Sequence, residues 1–162
     1  MKKLGYVALA VIVIGGLIFW GRVSTSKKNE SLVNMSSREL ALHMTTDMAT
    51  EYHIHPELTI LMNGTEVPLP QNLGVTATGM TSIHTHDEKG VIHVEAPIKK
   101  DFVLGDFFAV WGKDFSQSKL LDVAVEDTSE IVVTVNGQKV DTYENTVLRD
   151  KDKIVISYQA KQ

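Results

Sequence analysis

Two stretches decide the fold: LTILMNGTEVPL at residues 58–69 and IVVTVNGQKVD at residues 131–141. In each, a run of branched apolar residues meets Asn-Gly and resumes as a shorter alternating run. Asn-Gly takes the positive φ angles that a two-residue type I′ turn demands, so both stretches predict antiparallel hairpins with turns at Asn63-Gly64 and Asn136-Gly137. Outward from them the same period of two recurs. Residues 81–86 and 91–95 predict two further strands, joined by Asp87-Glu88-Lys89-Gly90. Residues 154–158 (IVISY) predict a closing strand.

Helical spacing is scarcer. Ser36-x-x-Glu39 has the spacing of a capping box, and Leu40, Met44 and Met48 recur every four residues, which predicts a helix over residues 36–50. Residues 104–115 (LGDFFAVWGKDF) place Leu104, Phe107, Phe108 and Trp111 on one helical face and predict a short helix packed on the sheet. The expected class is therefore mainly β, a small sandwich or barrel-like sheet with one or two short helices. Residues 131–158, with strand, Asn-Gly turn, strand, charged turn and final strand, resemble the tail of a β-grasp domain.

Ahead of this body lies a different kind of sequence. Residues 4–20 carry no charge and are bracketed by Lys2-Lys3 and Arg22, with Tyr6 and Trp20 near the ends. About 17–25 apolar residues are needed to cross a bilayer, and interfacial aromatics mark its edges. No small-x-small cleavage site follows, which favours a retained anchor over a cleaved signal peptide. The expected organisation is a membrane anchor or signal segment (1–21), a polar tether (22–35) and an extracytoplasmic histidine-rich β domain (36–162). Basic residues flank the span on both sides, so the positive-inside count does not orient it. The short leader favours a single-pass protein with its body outside the cell membrane.

Composition excludes several function classes. Five of the 16 basic residues and none of the 20 acidic ones fall in residues 1–28, so the remaining chain sets 11 against 20, a formal charge of −9. Phosphate recognition needs clustered Lys and Arg, so no nucleic-acid partner is expected. With no cysteine there is no disulfide framework, thiolate zinc site, cysteine nucleophile or cysteine-linked lipid. No Gly-rich phosphate loop, G-x-S-x-G or H-E-x-x-H motif occurs, and Ser82 is the one serine among residues 53–93.

The chemistry gathers in the histidines. Five of the six, His53, His55, His84, His86 and His93, lie within residues 53–93. They form His53-Ile54-His55, His84-Thr85-His86 and His93-Val94-Glu95. Residues i and i+2 of a strand share a face, so each pair presents two donors on one side. Were the three segments neighbours, five imidazoles and a carboxylate would converge. A first-row ion takes three or four donors at about 2.0–2.2 Å, and imidazole is the usual donor where thiolate is lacking. Asp87 and Glu95 are expected to accept the N–H of ligating rings or to serve as a base. His43 is expected at the surface. Met44 and Met48 belong to the apolar stripe of the predicted helix, not to a copper(I) site.

The strings HIHPELTILMNGTEVPLPQNLG, IHTHDEKGVIHVEAP and LGDFFAVWG, with VNG and KIVISY, resemble uncharacterised membrane-anchored bacterial and archaeal proteins that share an HxHP…HTHDxxGxIHxE pattern. The likeness spans about residues 52–158. It implies extracytoplasmic metal binding, with His53, His55, His84, His86, Asp87, His93 and Glu95 at the matched positions. A weaker likeness to cupins rests on Gly79 and the His84/His86 pair. It departs from that family where Glu95 stands nine residues after His86 and where no histidine follows His93.

The leading expectation is a membrane-tethered protein that binds a divalent ion, zinc or copper(II). One alternative is a small metalloenzyme, whose catalytic residues the sequence leaves unknown. Three histidines would hold a metal-bound water for hydrolysis or hydration, with Glu95 or Asp87 as base, or a copper or iron centre would carry out oxidation. Another is a structural surface domain with a pH-responsive histidine cluster. An extracytoplasmic protein partner is compatible with each.

Overall fold

The computed structural model describes residues 30–45 and 51–161. The predicted span at residues 4–20, tether residues 22–29 and Met48 lie outside the described residues. Residues 30–34 are helical, so the stretch read as an irregular tether includes a helical turn. Among the described residues no helix is long and apolar enough to cross a membrane. Ser36–Gln162 form one unit, and the residues up to Met35 another.

The second unit begins with α1 (Ser37–Leu42), then β1 (Met44–Thr45), β2 (Tyr52–Ile54), β3 (Glu57–Met62), β4 (Thr65–Val67), β5 (Val75–Thr76), β6 (Gly79–Thr81), β7 (Ile83–His84) and β8 (His93–Ala96). There follow α2 (Leu104–Trp111), β9 (Phe115–Ser116), β10 (Lys119–Leu120), β11 (Val123–Ala124), β12 (Ser129–Val135), β13 (Gln138–Val140), a 3₁₀ turn at Tyr143–Asn145 and β14 (Lys153–Ala160). The protein is mainly β.

The largest sheet is open and five-stranded, in the order β13-β12-β14-β3-β4. Both Asn-Gly hairpins lie in it. Asn63 and Gly64 have φ 51° and 81°, Asn136 and Gly137 φ 53° and 81°, the two successive left-handed residues of a type I′ turn. The hairpins do not pair with each other directly. β14 runs between them, antiparallel to β12 and parallel to β3. Leu58 and Ile60 of β3, Ile131 and Val133 of β12, and Ile154, Ile156 and Tyr158 of β14 are buried. They alternate with less buried neighbours along each strand, so one face of the sheet is a continuous apolar layer.

A second sheet, β2-β8-β7, is wholly antiparallel. It is continuous in chain with the first, since His55-Pro56 turns β2 directly into β3. The Ile92 N–H donates to the Pro56 carbonyl (2.9 Å) and the Leu58 N–H to that of Gly90 (2.7 Å). Two smaller three-stranded sheets, β1-β6-β5 and β11-β10-β9, complete the domain.

The helix predicted over residues 36–50 is much shorter. Its start is as expected: the Ser36 hydroxyl accepts from the Glu39 N–H (3.1 Å) while the Glu39 carboxylate accepts from the Ser36 N–H (2.7 Å). It stops at Leu42, where His43 turns extended (φ −69°, ψ 118°). Met44 and Thr45 then pair with Thr81 and Met80. Met44 is exposed and belongs to no apolar stripe: a ladder with β6 outweighs helix propensity here. The second helix ends at Trp111, closed by Gly112 in the left-handed region. It packs chiefly against α1, the 3₁₀ turn and β7, so it backs the second sheet. Arg38 of α1 donates to the buried Asp106 carboxylate (3.0 Å), which also accepts the Val103 N–H (3.1 Å) at the helix start.

Candidate metal centre

The three histidine segments are the strands and strand ends of the second sheet. The central strand β8 sets His53 opposite Glu95, Ile54 opposite Val94, Ile83 opposite Val94 and His84 opposite His93. Because side chains alternate, the sheet has two unlike faces. Ile54, Ile83, Val94 and Ala96 are buried in the core, while His53, His84, His93 and Glu95 share the other face. His55 and His86 continue that face just past the ends of β2 and β7. The strand predicted over residues 81–86 is broken at Ser82 into β6 and β7, and residues 85–86 leave the ladder. Thr85 holds this end in place: its hydroxyl donates to the Pro70 carbonyl (2.6 Å) and accepts the Leu73 N–H (3.0 Å).

All five imidazoles meet. Ring centroids are 4.5 Å apart for His53 and His55, 4.7 Å for His55 and His93, 4.7 Å for His86 and His93, 5.4 Å for His84 and His93, and 4.9 Å for His84 and His86. His93 is the common member. Among the described residues, two sets of three donors lie within 4.8 Å of one another: His53, His55 and His93, and His84, His86 and His93. Around a tetrahedral ion, nitrogens are about 3.3 Å apart, so small ring rotations bring either triad into ligating range.

Each environment fixes what its ring can offer. His84 is fully buried. Its Nδ1 lies 3.0 Å from the Thr81 carbonyl, which can only accept, so Nδ1 carries the proton and Nε2 the lone pair. That Nε2 is buried without a hydrogen-bond partner. Burial holds the pKa of His84 below the ordinary value, keeping the ring neutral. His55 is also lowered, by its own partial burial and then by His93 and His53.

Carboxylates occupy the rim. Glu88 stands 2.7 Å from His93 Nε2, Glu95 3.0 Å from His53 Nε2, and Asp150 4.0 Å from His55 Nδ1. Asp150 also accepts the His55 backbone N–H (3.0 Å). Glu95 thus lies where a carboxylate orients a ring. Asp87 is exposed, and the carboxylate on His93 comes from its neighbour Glu88. Glu88 and Asp150 escaped the sequence reading. Glu88 was legible in principle, since a hairpin between residues 86 and 93 folds its turn back over His93. Asp150 is 95 residues from His55 in sequence, and no local signal links them. His43 caps α1, outside both triads.

Beside the cluster is a cavity of about 330 Å³, lined by Pro70, Gln71, Thr85, His86, Asp87 and Glu88 among others. One wall is the loop from β4 that leads into β5, and at its end Gly74 has no room for a side chain. A Cβ there would lie 2.2 Å from the Thr81 hydroxyl oxygen and 2.9 Å from the Ile83 carbonyl, at φ +72°. Any side chain would displace the segment that holds His84 Nδ1.

Comparisons with protein families, with curated proteins and with solved structures found no match to this chain.

Proposed function

We propose that this protein is a membrane-tethered, extracytoplasmic metal-binding protein that holds zinc or copper(II) through its clustered histidines. One observation carries the reading: the lone pair of His84 Nε2, buried and unpartnered, in a ring whose other nitrogen is already committed to a carbonyl. A buried polar atom left unsatisfied costs about 1–3 kcal/mol, and a cation is the partner a lone pair among imidazoles can take. Neutral nitrogen donors suit zinc and copper(II) better than magnesium or calcium, which prefer oxygen. The tether rests on the uncharged residues 4–20 with their basic flanks. The order β13-β12-β14-β3-β4, with β14 antiparallel to β12 and parallel to β3, supports the β-grasp-like reading of the C-terminal part.

The test uses the full chain in detergent, purified without an added histidine tag and offered equimolar zinc and copper(II). Near-stoichiometric metal is expected, and its loss in His84→Ala/His86→Ala. A chain that retains no ion after desalting would overturn the reading.

The cavity favours a second reading, a metalloenzyme. His84, His86 and His93 would hold the ion, which would supply a water made more acidic, and Glu88 or Asp87, which line the cavity, would act as the base. Metal-dependent hydrolysis of activated esters, lost in Glu88→Gln with metal retained, is the outcome that separates enzyme from carrier.

A further inference from the structure

The two triads share His93, and His93 has one nitrogen to share. The Glu88 carboxylate, 2.7 Å from His93 Nε2, accepts that N–H, so the lone pair is on Nδ1. A single lone pair serves one ion at a time. The triads also differ in access. His53 and His55 have side chains 47% and 42% exposed, whereas His84 is 0% exposed. They differ in need as well: His53 already has Glu95 for company, while His84 Nε2 has no partner.

We propose that the cluster is a two-station path for one ion, entered at His53, His55 and His93 and ending at His84, His86 and His93. The inference rests on the metal-binding reading above. Transfer is ligand exchange at a retained bond. The ion's bonds to His53 and His55 break as bonds to His84 Nε2 and to His86 form, and the bond to His93 Nδ1 persists. All donors are neutral imidazoles, so neither the charge nor the oxidation state of the ion changes. The outer station supplies access, and the inner station supplies the larger gain because only there is a buried lone pair satisfied. Glu88 keeps the two stations exclusive by holding the proton on Nε2, which would otherwise be free to ligate a second ion.

Copper(II) mixed with the metal-free full chain in a stopped-flow spectrometer tests this, with the final copper content measured on the same samples. Wild type is expected to bind one ion in two phases, a copper-dependent first step and a second step whose rate does not depend on copper concentration. His53→Ala/His55→Ala, altered at exposed positions, is expected to lose the first phase and still reach one ion. His84→Ala/His86→Ala is expected to stop after the first phase. Two ions per wild-type chain would overturn the proposal, as would a single phase unchanged by His53→Ala/His55→Ala; both leave metal binding itself standing. A wild-type chain that takes up no copper would overturn the metal reading as well. Wild type and the outer variant suffice to separate these outcomes, so misfolding of the buried variant does not blunt the test.

Discussion

The two principal sheets answer the same folding problem in opposite ways. The five-stranded sheet turns Ile60, Val133, Ile154 and Ile156 into its core, and its register is long, with seven residue pairs between β12 and β14. The histidine sheet has strands of two to four residues. It commits one face to Ile54, Ile83 and Val94 and the other to imidazoles, of which His84 is fully buried. Apolar burial stabilises a strand at about 25 cal/mol per Å², and an unpartnered ring nitrogen subtracts from that sum. The large sheet supplies the stability, and the small one uses some of it to keep His84 and His93 dry.

The sharpest way to break this contrast is in the large sheet. Ile156 pairs with Ile60 on one side and Val133 on the other and is fully buried. Ile156→Ala is expected to cost about 2–5 kcal/mol by urea denaturation, with metal affinity unchanged in the fraction that remains folded. Adding metal should strengthen the small sheet instead. Zinc at a hundredfold over its Kd is expected to stabilise wild type by about 2.7 kcal/mol, seen as a rise in Tm that chelator reverses and that His84→Ala/His86→Ala lacks.

A smaller effect comes from protons. His84 and His55 are held below the ordinary 6.5 in the fold, so below that pH the unfolded chain binds protons that the folded chain refuses. Metal-free stability is therefore fully present above about pH 6.5 and declines as pH falls from there towards the folded pKa values. His84 dominates, because His55 is screened by solvent. Denaturation curves at a series of pH values should show this slope, and His84→Leu should flatten it while abolishing metal-dependent stabilisation. Least of all should happen at Lys89, whose ammonium meets Glu66 at 3.1 Å in the open. Lys89→Ala is expected to change stability by under about 1 kcal/mol and metal content not at all, as calorimetry and elemental analysis would register.

Legibility in the sequence divided along similar lines. The hairpins were plain because Asn-Gly specifies its own turn. The histidine face was plain because a period of two survives even in strands of two residues, provided their neighbours are near. Features made by distant segments were not plain. Nothing local says that β14 lies between the two hairpins, that Asp150 meets His55, or that β6 draws Met44 and Thr45 out of a helical pattern. The predicted helix failed at the residues where a distant partner strand, β6, competes for the backbone.

The central position of β14 also governs how the chain is made. The strands on its two flanks, Glu57–Met62 and Ser129–Val135, have no ladder joining them until residues 153–160 arrive. A nascent chain emerging in order would carry two separate hairpins with one side each unpaired, and such edges invite association with other chains. The sheet closes only when residues 153–160 take their place between β12 and β3, and until then both hairpins keep an unpaired side. Any lesion that halts the chain before residue 153 leaves both edges open.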